Sequence, residues 1–319
     1  MLKAFADWVV YRVLNISGGS IFGEALNFFI YDTLKIFLLL IVIIFVVSIV
    51  RTFFSPEKTR DILGKKKSFI GNILAALLGI VTPFCSCSAV PLFLGFVEAG
   101  IPLGVTFSFL VASPMINEVA LVMLWGLFGW KISLLYIGSG LIISIIAGIV
   151  IGKLKVEHLL ESFVLQNIKQ NYSTATVIKQ SFKERIIFAK EYTLDIVKRI
   201  WVYVIIGIGL GAWIHGYVPT EFLAKVAGKG NVFAVPIATL LGIPLYSNAA
   251  GVIPLVSALT EKGLQLGTAL AFMMAVTALS LPEFLILRKV MRIRLILIFA
   301  GVVGAGIIFT GYMFNILLG

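Results

Sequence analysis

A chain of 319 residues that is 60% hydrophobic and only 13% charged falls outside the soluble class, where charged residues run to about 25%. A mean hydropathy of +1.07 and unbroken apolar runs such as Ile36–Val50 and Ile132–Ile151 specify bilayer-crossing helices, since about 20 apolar residues span ~30 Å of hydrocarbon. The net charge of +11 does not point to nucleic acid, because the basic residues fall between apolar runs, where the positive-inside rule uses them.

The first 33 residues begin MLKAFADWVV, with Asp7 inside the stretch and no small-residue cleavage site after a short apolar core. They read as an interfacial segment, with no signal peptide. A spanning helix at 34–51 follows, then a connection holding Arg51, Lys58, Arg60, Lys65, Lys66 and Lys67. Two short apolar arms, 70–83 and 88–97, precede spanning helices at 103–125 and 131–152. The linker 153–196 is basic and has the pattern of amphipathic helices, which suits anionic headgroups, a second copy of the chain or a partner subunit. The second half offers a spanning helix at 197–214, arms at 234–245 and 251–260, and spanning helices at 268–287 and 295–316.

A shift of 163 residues superimposes the two halves. Lys35 meets Lys198, Pro56 meets Pro219, and Leu77-Leu78-Gly79-Ile80 meets Leu240-Leu241-Gly242-Ile243. The register holds through Pro91 and Pro254, Glu98 and Glu261, Gly100 and Gly263, Gly104 and Gly267, and Phe109 and Phe272. Matched Gly, Pro and Glu at one constant offset define repeats at 34–152 and 197–316. Charge then orients them. The basic stretches 51–67, 153–196 and 288–294 belong on the cytoplasmic face, whereas 125–131 and 214–232 carry few basic residues and belong outside. Equivalent connections fall on opposite faces, so the expected fold is an all-α membrane protein of two inverted-topology repeats. Each repeat would hold about three spanning helices and one broken helical hairpin. The arms are too short to cross alone. Pro83 and Pro244 end the first arms, and Pro91 and Pro254 suit the opening turns of the second. A re-entrant hairpin is the favoured reading, and two complete spans the alternative. Inverted repeats with broken helices meeting at mid-depth are the usual construction of secondary transporters.

The hairpin tips read TPFCSCSAVP from Thr82 and PLYSNAAGVIP from Pro244. Irregular backbone within a membrane is tolerated where protein or a watery cavity satisfies it. Candidate substrate-binding residues are therefore Cys85, Ser86, Cys87 and Ser88 in the first tip, Tyr246, Ser247 and Asn248 in the second, and Ser113 and Asn117 in the helix after the first. Both cysteines of the chain occupy one broken segment. They are either small packing residues or soft ligands for a thiophilic metal or metalloid. Beyond each hairpin lie polar residues that hydrocarbon rarely tolerates: Ser113, Pro114, Asn117 and Glu118, then Ser280, Pro282 and Glu283. A charge at mid-bilayer costs ~2.5–3.5 kcal/mol on insertion scales, so Glu118 and Glu283 are candidates for proton or ion coupling. For Glu283 the plainer alternative is pairing with Arg288 or Lys289. Glu98 and Glu261 read as interfacial caps.

CSCSAVP, the GIPLG that follows it and SPMIN resemble the permeases that include the organoarsenical efflux permease ArsP and the YraQ-type proteins. The resemblance covers nearly the whole chain and is strongest over 79–152. It implies a secondary permease in the cell membrane, with trivalent organoarsenicals exported in the best-known branch. No enzyme chemistry or cofactor is expected. Gly64-Lys65-Lys66-Lys67-Ser68 lacks the upstream glycine of a phosphate-binding loop, and His158 and His215 are too scattered for zinc. A permease for a small anion or metal ion, and a membrane thiol carrier using the cysteine pair, are the competing readings.

Overall fold

In hydrocarbon every backbone polar group must find its partner within the protein, and helices meet that demand locally. The computed structural model describes residues 2–17, 20–53, 68–82, 86–116, 118–162, 164, 182–217, 231–245, 249–261 and 263–318. A short helix α1 (Leu2–Asp7) runs into a π-helical turn at Trp8–Val13 and packs on α2 (Ile21–Phe53), where Asn27 Nδ2 donates to Asp7 Oδ1 at 2.8 Å. Next come α3 (Ser68–Val81), α4 (Ser86–Glu98), α5 (Leu103–Met115), α6 (Glu118–Phe128) and α7 (Trp130–Lys153). The later helices are α8 (Phe182–Tyr217), α9 (Ala234–Gly242), α10 (Ala249–Glu261), α11 (Leu266–Ala278), α12 (Leu281–Leu287) and α13 (Ile293–Leu318).

The starts of α4, α5, α6 and α7 recur 163 residues later as the starts of α10, α11, α12 and α13. Local geometry recurs with them. Gly100 and Gly263 stop α4 and α10 at φ of 80° and 93°, a left-handed conformation that glycine adopts without a Cβ penalty. Around Gly100 the N–H donates to Val97 and the next residue's N–H to Phe96; around Gly263 the acceptors are Thr260 and Leu259. Gly79 and Gly242 are pressed against the central helices: an added Cβ would lie 2.9 Å from the Ala112 methyl in one half and 2.9 Å from the Ala275 methyl in the other.

The core is built around α5 and α11. Every residue of α5 is buried, and so is every residue of α11 after Leu266. Their neighbours are small or matched to them, as expected where helix association depends on close packing rather than on expulsion of water. Within the halves α3 packs on α5 and α7, and correspondingly α9 packs on α11 and α13. Between the halves α2 meets α8, α5 meets α11 and α7 meets α13, while α4 touches α12 and α10 touches α6. Outward faces stay apolar, with Leu134, Ile142 and Ile146 on α7 and Leu297, Phe309 and Ile316 on α13 all exposed. Such faces suit lipid. The chain is a multi-pass α-helical protein of the cell membrane. Among the described residues, Trp130–Lys153, Ile293–Leu318 and the stretch Leu266–Leu287 are each long and apolar enough to cross, and the bent pair Leu103–Met115 and Ala120–Phe128 is apolar enough together to form a broken span or a re-entrant loop.

Three local features differ from the sequence reading. The stretch 103–125 is not one straight helix but α5 and α6, which turn by 48°. Pro114 cannot donate to the carbonyl of Leu110, and two residues later Ile116 leaves helical geometry at φ −118°, ψ 86°. The stretch 268–287 is likewise divided, with Ser280 extended at φ −65°, ψ 143° and Pro282 at the start of α12. Pro91 also lies inside α4 instead of in its opening turn, since that helix begins at Ser86. Its missing N–H leaves the carbonyl of Cys87 without its intrahelical donor.

Candidate transport site at the helix breaks

Cys85, Asn117, Tyr246, Ser247 and Asn248 lie outside the described residues. Ser86, Cys87 and Ser88 form the first turn of α4, and Glu118 begins α6, with only their backbone described. Ser113 is fully buried in the last turn of α5. Glu283 is fully buried in the first turn of α12. Arg288, one of the two cations that could have held it, donates instead to Glu161 at 2.8 Å. Among the described residues no group of three or more His, Cys, Asp or Glu could hold a metal ion.

The described parts of this region converge on the breaks. A helix that ends inside a membrane releases its last carbonyls, and each needs a donor. At the end of α5 the Met115 carbonyl accepts from the hydroxyl of Tyr136 on α7 at 3.0 Å. The same tyrosine oxygen interacts with the hydroxyl of Thr277 in the last turn of α11. At the second break the Leu281 N–H donates to the Ile243 carbonyl at 2.7 Å, tying the start of α12 to the end of the arm α9. Ser280, between α11 and α12, is buried, and its hydroxyl has no partner among the described residues.

The exchanged contacts add the other half of the arrangement. The arm α4, which carries Ser86 and Cys87, rests on α12, which carries Glu283. The arm α10 rests on α6, which Glu118 begins. Each hairpin arm thus abuts the short helix beyond the break of the opposite half.

Sequence reasoning singled out Ser280 but missed Tyr136 and Thr277 as members of this region. The one available signal was a hydroxyl placed in an otherwise apolar helix. Glu98 ends α4 just before Gly100, where the sequence places it. It is buried, and the hydroxyl of Tyr192, from the N-terminal part of α8, approaches its Oε2 at 3.4 Å. On a neighbouring stretch Leu160 and Met291 form an antiparallel bridge, with the Arg292 N–H donating to the Leu159 carbonyl at 2.8 Å. The beginning of the basic linker and the basic connection 288–294 therefore lie together.

Comparison with known proteins places this architecture. A UPF0718 protein of Methanocaldococcus jannaschii is 24% identical over 305 residues, covering 78% of this chain and 83% of its own. A Streptococcus mutans protein named as a subunit of a two-component membrane permease complex is 27% identical over 257 residues, covering 79% and 82%. YraQ of Escherichia coli, also a UPF0718 protein, is 23% identical over 241 residues, covering 71% and 62%. No solved structure matches the chain. Residues 21–316 match the ArsP-type family described as "predicted permease", and the chain belongs to that family.

Proposed function

We propose that this permease is a secondary transporter of a thiophilic metalloid compound, of the trivalent organoarsenical type, working outward through a mid-depth site between two hairpin tips. The observation that carries the reading is the exchanged packing of α4 on α12 and α10 on α6, which brings the cysteine-bearing arm beside the opposite half's buried carboxylate. In this reading the repeats 34–152 and 197–316 are inverted, separated by the cytoplasmic linker 153–196, and the hairpins are re-entrant from opposite faces. The reversed charge bias of equivalent connections supports the inversion, and so does the bridge between Leu160 and Met291, which joins two stretches assigned to one face.

Thiolates of Cys85 and Cys87 would take the soft solute, aided by the carbonyl that Pro91 leaves free at Cys87. Ser86, Ser88, Ser113, Asn117, Tyr246, Ser247 and Asn248 would complete the lining, and Glu118 and Glu283 would couple movement to protons or another ion. A two-thiol site on a broken helix binds weakly enough to release, which transport requires. The second reading is a small hard anion held by the serines, Asn248 and helix N-termini, since the second tip carries no thiol. The name of the Streptococcus mutans relative favours a partner subunit, with the linker as its docking surface.

Everted and right-side-out vesicles loaded with a trivalent arsenical test the proposal. Cys85→Ser and Cys87→Ser together should abolish transport without lowering the amount of protein in the membrane. Full activity in the double variant rejects the soft-ligand site and leaves the anion reading. In the same double variant, a single cysteine at Gly129 should react with an impermeant reagent from outside and one at Val290 from the cytoplasmic side. Reaction of both from one face rejects the inversion.

A further inference from the structure

Tyr136 is fully buried on α7; its hydroxyl donates to the Met115 carbonyl at 3.0 Å, and its oxygen accepts from the hydroxyl of Thr277. The Thr277 hydroxyl also has the Met273 carbonyl at 3.0 Å and the Met274 carbonyl at 3.1 Å within reach, so its one proton is shared between its own helix and the Tyr136 oxygen. Met115 ends α5 in the first half, and Thr277 stands in the last turn of α11 in the second. One phenol therefore ties together the two places where the central helices break.

The tie has no counterpart. Shifted by 163 residues, Tyr136 becomes Phe299, Met115 becomes Ala278 and Thr277 takes the place of Pro114. Phe299 offers no hydroxyl to the end of α11. It is buried among aromatic rings instead, with centroids 5.6 Å from Phe107 and 6.3 Å from Phe284. If the halves exchange conformations when the site turns from one face to the other, the arrangement now found at Tyr136 passes to Phe299, where the bond cannot form.

We propose that Tyr136 is a positioning residue whose hydrogen bond holds the two helix breaks together in one facing state and so sets the side to which the transport site opens at rest. The inference rests on the two-faced permease reading above. A buried hydrogen bond of ordinary net strength, present in one state and absent in the other, shifts their ratio about three- to tenfold.

Cys85 and Cys87 are the only thiols in the chain, so the otherwise unmodified protein reports on its own hairpin tip. An impermeant maleimide is applied to right-side-out and to inside-out vesicles, and the ratio of the two labelling rates is compared between wild type and Tyr136→Phe. The expected result is a three- to tenfold change in that ratio at unchanged protein amount, with a change in the same direction of about twofold for Thr277→Val. A purely structural loss would slow or speed both faces together and leave the ratio where it was. Labelling from both faces with the same ratio in wild type and both variants overturns the proposal for Tyr136 while leaving the permease reading in place. Labelling from a single face in every variant overturns the two-faced reading itself.

Discussion

The two helix crossings built on Gly148 and Gly311 occupy equivalent positions but carry opposite chemistry. In the first half the Ser108 hydroxyl donates to Asn72 Oδ1 at 3.1 Å, and both side chains close on Gly148. In the second half the same places hold Ala271 and Val235, which close on Gly311 through methyl groups. Further along, Gly152 gives way to Asn315, whose Oδ1 accepts from the Thr268 N–H at 3.1 Å and whose Nδ2 donates to the Thr268 hydroxyl at 3.0 Å. What both halves keep is the absence of a side chain at Gly104 and Gly148, and again at Gly267 and Gly311. The scaffold is a requirement of backbone approach, and polar groups are layered on it differently in each half.

That distinction is broken most severely at the shared glycines. A Cβ at Gly104 would lie 2.9 Å from the Gly152 Cα and run into the Gly148 carbonyl; at Gly267 it would lie 2.6 Å from the Asn315 backbone nitrogen and run into the Gly311 carbonyl. Backbone cannot step aside as a side-chain tip can. Gly104→Ala and Gly267→Ala should each destabilise by about 1–3 kcal/mol or more, seen as a sharp loss of folded protein in detergent melts. Gly138→Ala, with nothing within 4 Å of the new methyl, should melt like wild type. Equal melting of all three variants would mean that the crossings are looser than described.

The same contrast explains which features were readable in advance. The arms expected at 70–83, 88–97, 234–245 and 251–260 fall within a few residues of α3, α4, α9 and α10, because proline and glycine act on the backbone locally. The breaks at Ile116 and Ser280 were not readable as breaks. Averaged apolarity is unchanged by a bend, and in the second half the decisive proline follows the break instead of preceding it. The contacts of Tyr136 and Glu98 were beyond local reasoning altogether. Their partners include Thr277 in the second half and Tyr192 at the end of the linker, brought near only by tertiary packing.

Intramembrane carboxylates sharpen the comparison at a smaller scale. Glu118 begins α6, and the equivalent position in α12 is Leu281; Glu283 stands where the first half has Ala120. The two carboxylates thus stand at different registers of the repeat, and the two residues need not act alike. Glu118→Gln and Glu283→Gln should each lower pH-dependent uptake in reconstituted vesicles while leaving the amount of folded protein unchanged. Transport with unchanged rate and pH dependence in both variants would assign the carboxylates a structural role.

The smallest effect expected comes from making the first crossing resemble the second. Asn72 and Ser108 are fully buried, and Asn72 Nδ2 has no partner among the described residues. A buried amide that uses only one of its ends contributes little, since its bond to Ser108 is offset by the unmet donor. Ser108→Ala alone strands the Asn72 carbonyl oxygen too and should cost about 1–3 kcal/mol. Asn72→Val with Ser108→Ala removes both polar groups and installs the pair that already packs against Gly311 at Val235 and Ala271. The double variant should therefore melt within about 1 kcal/mol of wild type, higher than the single serine variant despite carrying one more substitution. Such non-additivity is the signature of two groups that serve chiefly each other. A double variant destabilised by the sum of its singles would show instead that Asn72 has a polar duty in the first half, and that the crossings differ in function as well as in composition.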